Sequence, residues 1–262
     1  MIDCGVCVSD LLEFIRFKVC IYAVFLGLSG YLLFNPVSAN AFFLVVMLFL
    51  GTGGVYSANN LTDTQEDFRN RGKTNVFVKG RIGLPLSVFL SLASVALGYC
   101  VSIESTLFMT LAILVGVSYS FARVKNHLLL KNVFTGFGVS VVFIAGAVAN
   151  GIINAAVLYY YVIFSVFIFI SSIISDIRDM HGDGATGIRT LPVSMGDSRT
   201  VKIVEILILA FSASLLFSGR LLIVLPFALS MLFFVNRNRP ALAHDLSGYS
   251  LMFLVIWLAG GG

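Results

Sequence analysis

Charged residues are scarce in this chain of 262 residues, since Asp, Glu, Lys and Arg together make up 11% of it. Soluble domains carry about 25% charged residues, whereas here 58% of the residues are hydrophobic. This balance excludes an ordinary soluble domain and favours a chain that lies in a lipid bilayer. The net charge of +4 is weak evidence for a nucleic-acid partner, and none is expected.

Cysteine and proline are also rare, with four and five residues respectively. The cysteines do not form a disulfide framework, and the C-x-x-C at Cys4 and Cys7 lacks the second pair or histidine pair that would complete a zinc site. No tandem repeat, low-complexity tract or proline-rich linker interrupts the chain. We therefore expect residues 1–262 to form a single transmembrane domain.

The hydrophobic residues are concentrated in long runs. A membrane-spanning helix needs about 20 mainly apolar residues, and several segments approach this length. They predict an all-α membrane protein, a bundle of about nine transmembrane helices. The segments are residues 11–34, 39–58, 85–103, 105–122, 132–150, 154–175, 201–217, 221–235 and 246–261.

The basic residues are distributed unequally between the two predicted sides of the membrane. If the nine segments cross in alternation, all of the 17 lysines and arginines except Arg220 fall on the side of the N-terminus. Cytoplasmic connections of membrane proteins are enriched in Lys and Arg. We therefore expect the N-terminus and the two long polar connections, near 59–84 and 176–200, to be cytoplasmic.

The first long connection begins with a periodic pattern of oxygen-bearing side chains, Asn59, Asp63 and Asp67. Side chains four residues apart on a helix drift by about 40° around its axis, so these three share one face if the helix continues. Glu66 lies off that face.

The second long connection begins in the same way. Asp176, Asp179 and Asp183 are spaced by three and four residues, which puts them in a narrow arc provided that the helix continues past Asp179. Gly182 and Gly184 weaken the prediction of a helix at that end. Solvated loop acids would also explain either cluster alone, but two clusters at segment ends on one predicted side favour a shared site.

Acids crowded on one face repel one another and need a cation to offset them. Mg²⁺ suits such oxygen ligands, because it takes one or two carboxylates and completes its shell with water and substrate phosphates. Basic side chains in the neighbouring connections can contact the remaining phosphate oxygens; they include Lys73, Arg81, Arg123 and Lys125. The residues thus predict a divalent metal over a diphosphate substrate.

The pattern N-x-x-x-D-x-x-x-D after the second segment and D-x-x-D-x-x-x-D after the sixth resembles the UbiA superfamily of intramembrane prenyltransferases. The runs GIRTLPVSMG at 187–196 and SYSFARVK at 118–125 resemble further stretches of that family, and nine helices is the family's count. Two departures are present: Asn60 stands where Asp is common, and the loop RGKTNVFVKGRI lacks the family's prolines.

The resemblance implies a Mg²⁺-dependent enzyme that transfers a polyprenyl group from a polyprenyl diphosphate to a small acceptor in a chamber open to membrane lipid. The residues implied as metal ligands are Asn59, Asp63, Asp67, Asp176, Asp179 and Asp183, and four of them, Asp63, Asp67, Asp179 and Asp183, form the catalytic core. The implied substrate-binding residues are Asn59, Lys73, Arg81, Tyr119, Arg123 and Lys125. Among these, Tyr119 belongs near the allylic end of the prenyl chain.

Two acceptor classes remain open: an aromatic quinone precursor, and a glycerol-phosphate lipid such as geranylgeranylglyceryl phosphate. A different class of protein, a membrane transporter with acidic cation-binding sites, also remains open. Transporters place such sites near the bilayer midplane, whereas these acids follow the ends of apolar segments. The residues leave the length of the prenyl chain and the oligomeric state undetermined.

Overall fold

A computed structural model describes residues 8–64, 75–79, 81–121 and 128–261. Within these ranges the regular structure is helical, with no strand. Helices α1 to α6 span Val8–Phe14, Phe17–Phe34, Asn40–Thr62, Val76–Lys79, Gly83–Gly98 and Ile103–Phe121. Helices α7 to α12 span Leu128–Ala147, Ala155–Thr186, Leu191–Met195, Asp197–Leu215, Leu225–Asn236 and Pro240–Ala259, and a 3₁₀ helix at Gly219–Val224 leads into α11.

Seven of the described helical stretches are long and apolar enough to cross a membrane: α2, α3, α6, α7, α8, the 3₁₀ helix joined to α11, and α12. Helix α5 is apolar but has only 16 residues, and α10 carries four charged residues in its first half. Each of the nine predicted segments overlaps a helix, and the all-α membrane architecture is confirmed. The count of nine crossings is not.

The first predicted segment is divided at Arg16. This residue has a φ of 51°, a left-handed conformation that a side chain other than glycine seldom adopts. The chain therefore turns between α1 and α2 instead of continuing one helix over 11–34. The turn leaves α1 beside α3 and α4, at the end of the bundle where the acidic residues lie.

The bundle closes because α12 returns to pack on α2 and α8. Helix α2 also packs on α3 and α7, and α7 packs on α6 and α8. The buried apolar side chains form two clusters, one mainly among α7, α8 and α10 to α12, the other among α2, α3, α6 and α7. Helices α2 and α7 contribute to both clusters and so lie at the centre.

Glycine permits the close approach of α2 and α7. A Cβ atom at Gly146 would overlap the backbone oxygen of Gly27, and one at Gly30 would overlap the backbone oxygen of Phe143. Small residues at helix interfaces let backbones pack closely in membrane bundles. In lipid, van der Waals packing rather than the hydrophobic effect drives helices to associate. This contact holds α7 against α2, and the other end of α7, at Lys131 and Asn132, contacts α8.

Arg220 lies apart from the basic residues near the acidic clusters. Its Nη1 donates to the backbone oxygen of Leu33, 3.3 Å away, next to the last residue of α2. Arg16 directly precedes the first residue of the same helix. The two arginines therefore lie at opposite ends of the bundle.

Candidate active site

A cavity of about 940 Å³ lies among α1, α2, α3, α6, α7, α8 and α12. This volume is at the upper end of the range of about 300–1,000 Å³ that ligand sites usually have. Much of its wall is apolar, with side chains such as Leu26, Met109, Val142 and Ile168. The predicted site residues in its wall are Asn59, Asp63, Tyr119, Asp176, Asp179 and Asp183.

The first acidic cluster lies at the end of α3, which stops at Thr62. Asp63 is the C-cap, and its backbone N–H donates to the backbone oxygen of Asn59 at 2.9 Å. The Asn59 side chain is buried, and its Oδ1 accepts from Ser120 Oγ on α6 at 3.0 Å. Asn59 is therefore held between two helices, while Asp63 stands at the helix end on the cavity wall.

Four predicted site residues, Asp67, Lys73, Arg123 and Lys125, lie outside the described residues, as do Cys4 and Cys7. Arg81 is described and exposed in the turn before α5, and it does not belong to the cavity wall.

The second acidic cluster lies on one continuous helix. Helix α8 runs through Gly182 and Gly184 to Thr186 and ends at Gly187, whose φ of 77° suits the left-handed C-cap. At 32 residues the helix is about 48 Å long, so it extends well beyond a hydrocarbon core of about 30 Å. The helix thus continues past Asp179, as the common arc of the three acids required, despite the glycines.

The three carboxylates of α8 have different surroundings. The side chain of Asp176 is 1% exposed, with Oδ1 2.6 Å from Lys131 Nζ and Oδ2 accepting from Asn132 Nδ2 at 2.9 Å. Asp183 is also buried, but its Oδ2 accepts no hydrogen bond from the described residues and lies 3.6 Å from Lys131 Nζ. Asp176 is thus fully engaged by protein donors, and Asp183 is not.

Asp179 lies nearer to solvent, with its side chain 36% exposed. Its two carboxylate oxygens accept from Nε and Nη2 of the adjacent Arg178, at 2.8 and 2.6 Å. An exposed ion pair of this kind adds little stability, so the carboxylate can exchange this partner for another cation at small cost.

Asn60, the departure from the family pattern, does not face the cavity. Its Oδ1 accepts from Arg16 Nε at 2.9 Å, and its Nδ2 donates to the backbone oxygen of Phe14 at 2.6 Å. The amide thus joins α3 to α1 and holds Arg16, which does line the cavity. The missing carboxylate therefore removes nothing from the cavity wall.

The structure adds polar residues to the wall that the motif analysis did not include, namely Arg16, Lys18, Lys131, Arg178, His244 and Asp245. Lys131 carried a sequence signal, because an ionisable residue inside a membrane helix marks a functional site by default. The predicted segment begins at residue 132 and so puts Lys131 in a loop, whereas the helix α7 begins at Leu128. Lys18 and Asp245 meet only in the tertiary structure, with Nζ and Oδ1 2.6 Å apart between α2 and α12.

The side chains present fit a hard divalent ion. The described residues contain no group of three or more His, Cys, Asp or Glu side chains already assembled around a metal position. They do offer carboxylates from separate helices on the wall of one cavity, namely Asp63, Asp179 and Asp183. Among the same residues, the buried Oδ2 of Asp183 has no hydrogen-bond donor. An all-oxygen set of this kind suits Mg²⁺ better than a metal that prefers nitrogen or sulfur.

The fold and the cavity define a multi-pass membrane protein with an acidic chamber between its helices. Residues 19–258 match the model of the UbiA prenyltransferase family. The chain belongs to this family, and it is a prenyltransferase. The transporter hypothesis is not favoured.

Two similar proteins of known function are archaeal. Digeranylgeranylglyceryl phosphate synthase of Pyrococcus furiosus is 27% identical over 207 residues, which cover 76% of this chain and 73% of that protein. The enzyme of the same name from Methanothermobacter thermautotrophicus is 26% identical over 155 residues, 58% of this chain and 54% of that protein.

Solved structures share the fold. A UbiA homolog from Archaeoglobus fulgidus bound to GPP and Mg²⁺ has a TM-score of 0.74 at 16% identity, covering 96% of this chain and 100% of that one. The apo structure of a UbiA homolog from Aeropyrum pernix K1 also has a TM-score of 0.74, at 18% identity, with 91% and 96% covered. The structure of a UbiA homolog from Archaeoglobus fulgidus bound to Cd²⁺ is also similar, with a TM-score of 0.65 at 17% identity.

Proposed function

We propose that this prenyltransferase uses Mg²⁺ to transfer a polyprenyl group from a polyprenyl diphosphate to a glycerol-phosphate lipid acceptor. The observation that carries the proposal is the acidic wall of the cavity, which Asp63 of α3 shares with Asp179 and Asp183 of α8. The acceptor class is supported by the two archaeal relatives, both named digeranylgeranylglyceryl phosphate synthases.

The metal ligands in this proposal are Asp63, Asp179 and Asp183, with Asp67 of the same sequence pattern. Bound there, Mg²⁺ supplies positive charge against the charge that develops on the departing diphosphate. The bond between the prenyl C1 and the diphosphate oxygen breaks, and diphosphate leaves with the electron pair. The hydroxyl oxygen of the acceptor forms the new C–O bond and gives up its proton.

The protein positions and shields the reactants. The Ser120 hydroxyl holds Asn59 in place beside the first acidic cluster. The apolar part of the cavity has room for an isoprenoid chain and keeps water from an allylic cation, and the ring of Tyr119 on the same wall offers a π face to that cation. Further contacts to the diphosphate are proposed for Lys73, Arg123 and Lys125, and Arg81 would have to reach it from outside the wall.

The orientation belongs to the same proposal. We place the N-terminus and the acidic end of the bundle in the cytoplasm, with α5 and α10 completing nine crossings. The support is the charge asymmetry of the sequence together with the position of Arg220 at the opposite end from Arg16.

The test incubates the purified full chain with geranylgeranyl diphosphate, Mg²⁺ and a panel of acceptors that contains geranylgeranylglyceryl phosphate and aromatic quinone precursors. We expect the glycerol-phosphate lipid to be prenylated, and Asp63→Ala to abolish transfer and weaken diphosphate binding. Prenylation of an aromatic acceptor alone would contradict the acceptor class. No prenylation at all, with Asp63→Ala leaving diphosphate binding and its Mg²⁺ dependence unchanged, would overturn the whole proposal.

A further inference from the structure

Lys131 reaches into the second acidic cluster from the neighbouring helix. It lies in the first turn of α7, its side chain is 19% exposed, and its Nζ is 2.6 Å from Asp176 Oδ1 and 3.6 Å from Asp183 Oδ2. One ammonium group therefore faces two buried carboxylates that are seven residues apart on α8.

Each oxygen of Asp176 already accepts from a protein donor. Lys131 engages Oδ1 and Asn132 engages Oδ2, and the same Asn132 amide also donates to Ser172 Oγ at 2.9 Å. Asp176 lies on the cavity wall with its side chain only 1% exposed, so a cation that approaches from the cavity meets a carboxylate already held by two donors. A metal at Oδ1 would compete with Lys131, and displacing Lys131 would leave a largely buried ammonium without its short ion pair, which is unfavourable.

Asp183 differs from Asp176 in its hydrogen bonds. Its contact with Lys131 is too long for a hydrogen bond, and its Oδ2 has no other donor among the described residues. The carboxylate is attracted to Lys131, but its buried Oδ2 has no hydrogen bond among the described residues to lose when another cation binds. The ammonium group also has three N–H donors, of which one serves Asp176.

We propose that Lys131 is a resident cation of the second acidic cluster. It takes the place that a divalent ion would otherwise have at Asp176, and it leaves Asp179 and Asp183 as the carboxylates of α8 that bind metal. Asp176 is then a positioning residue that holds Lys131, and the earlier prediction of Asp176 as a metal ligand is replaced. The inference rests on the metal site of the proposed function, but it concerns the metal alone and needs no prenyl transfer.

The test measures binding of Mn²⁺, as a stand-in for Mg²⁺, to the purified full chain in detergent without substrate, from the electron paramagnetic resonance signal of free Mn²⁺. Lys131→Met uncovers the Asp176 carboxylate, so we expect Mn²⁺ to bind at least about tenfold more tightly, the scale on which residues around a metal change its affinity. The matched control is Lys202→Met, which removes a lysine of α10 outside the cavity wall and should leave binding unchanged.

The double variant Lys131→Met with Asp176→Asn removes both members of the ion pair and keeps the net charge. We expect its Mn²⁺ affinity to stay within about threefold of the unaltered protein, below the tenfold or greater loss that accompanies removal of a metal-site residue. Residue 176 then carries no charge that could be left unpaired, and the longer contact of Asp183 with Lys131 is the one ion pair given up besides it among the described residues. The double variant therefore tests the proposal even if Lys131→Met alone fails to fold.

Three results would overturn the proposal: equal or weaker Mn²⁺ binding by folded Lys131→Met, an equal gain in Lys202→Met, or a tenfold loss in the double variant. Because no prenyl substrate is present, an enzyme that fails to prenylate any acceptor still gives a readable answer. Failure of the proposed function and failure of this inference are therefore distinguishable.

Discussion

Replacing Asp183 by asparagine removes a negative charge from the cavity wall with almost no change in shape. Two effects on stability oppose each other. The variant loses the attraction to Lys131 across 3.6 Å. It also avoids the cost of a carboxylate whose Oδ2 is buried with no hydrogen-bond donor among the described residues. Because Lys131 keeps its shorter ion pair with Asp176, Asp183→Asn leaves no buried ammonium unpaired. We therefore expect the free energy of unfolding to change by no more than about 1.5 kcal/mol, the scale of one hydrogen bond.

The effect of Asp183→Asn on catalysis should be much larger. Loss of residues that merely support a metal ligand costs about 10–100-fold, so loss of a ligand should lower kcat/KM by at least about 100-fold. That ratio corresponds to about 2.7 kcal/mol of transition-state stabilisation. The variant should therefore lose catalytic activity while it keeps its thermal stability.

The assay pairs kcat/KM for prenyl transfer with thermal unfolding in the same detergent. Glu104→Gln is the control, because it also neutralises a carboxylate, but at the first turn of α6 and away from the cavity wall. We expect wild-type activity from Glu104→Gln and a folded, inactive Asp183→Asn. If Asp183→Asn keeps kcat/KM within about threefold, far from the 100-fold expected for a ligand, the carboxylate does not bind the metal and the reasoning is refuted.

Three further predictions concern packing, an ion pair and the metal. Gly146→Ala should lower the free energy of unfolding by about 1–3 kcal/mol, because a Cβ there meets the α2 backbone. Gly53→Ala is the control and should not, because a Cβ there has ordinary contacts. Equal effects of the two variants in chemical unfolding would contradict this packing. A double-mutant cycle on Lys18→Met and Asp245→Asn should give a coupling energy of about 0.2–1 kcal/mol, as for other partly exposed ion pairs, and a value of several kcal/mol would refute it. Chelation of divalent metal should abolish prenyl transfer, and Mg²⁺ should restore it; activity that persists in excess chelator would exclude the metal.

Much of the fold was predictable because membrane helices follow simple rules of length and polarity. Each apolar segment overlaps a helix, since the backbone must satisfy its own hydrogen bonds in lipid. The positions at which the helices end were harder to predict. The left-handed Arg16 divides the first segment, and α8 continues through two glycines, because contacts with neighbouring helices outweigh the modest preferences of single residues.

The candidate site was predictable to a lesser degree. Periodicity indicated Asn59, Asp63 and the three acids of α8, which share a cavity wall. Periodicity treated Asp176, Asp179 and Asp183 as equivalent. Among the residues that the structure describes, only Asp176 has both oxygens occupied by donors from another helix. Such a difference depends on what the neighbouring helix places opposite each carboxylate, and spacing along one helix carries no information about that.

The sequence by itself determined that this protein lies in a membrane and that its acids are concentrated after two apolar segments, because both conclusions depend on composition and local order. It also carried the family resemblance, which the match over residues 19–258 confirms. Only the tertiary structure decided that Asn60 turns away from the cavity to hold Arg16 and that Lys131 joins the acidic cluster. These are contacts between helices distant in the chain, and they exist only once α1 packs beside α3 and α7 packs against α8.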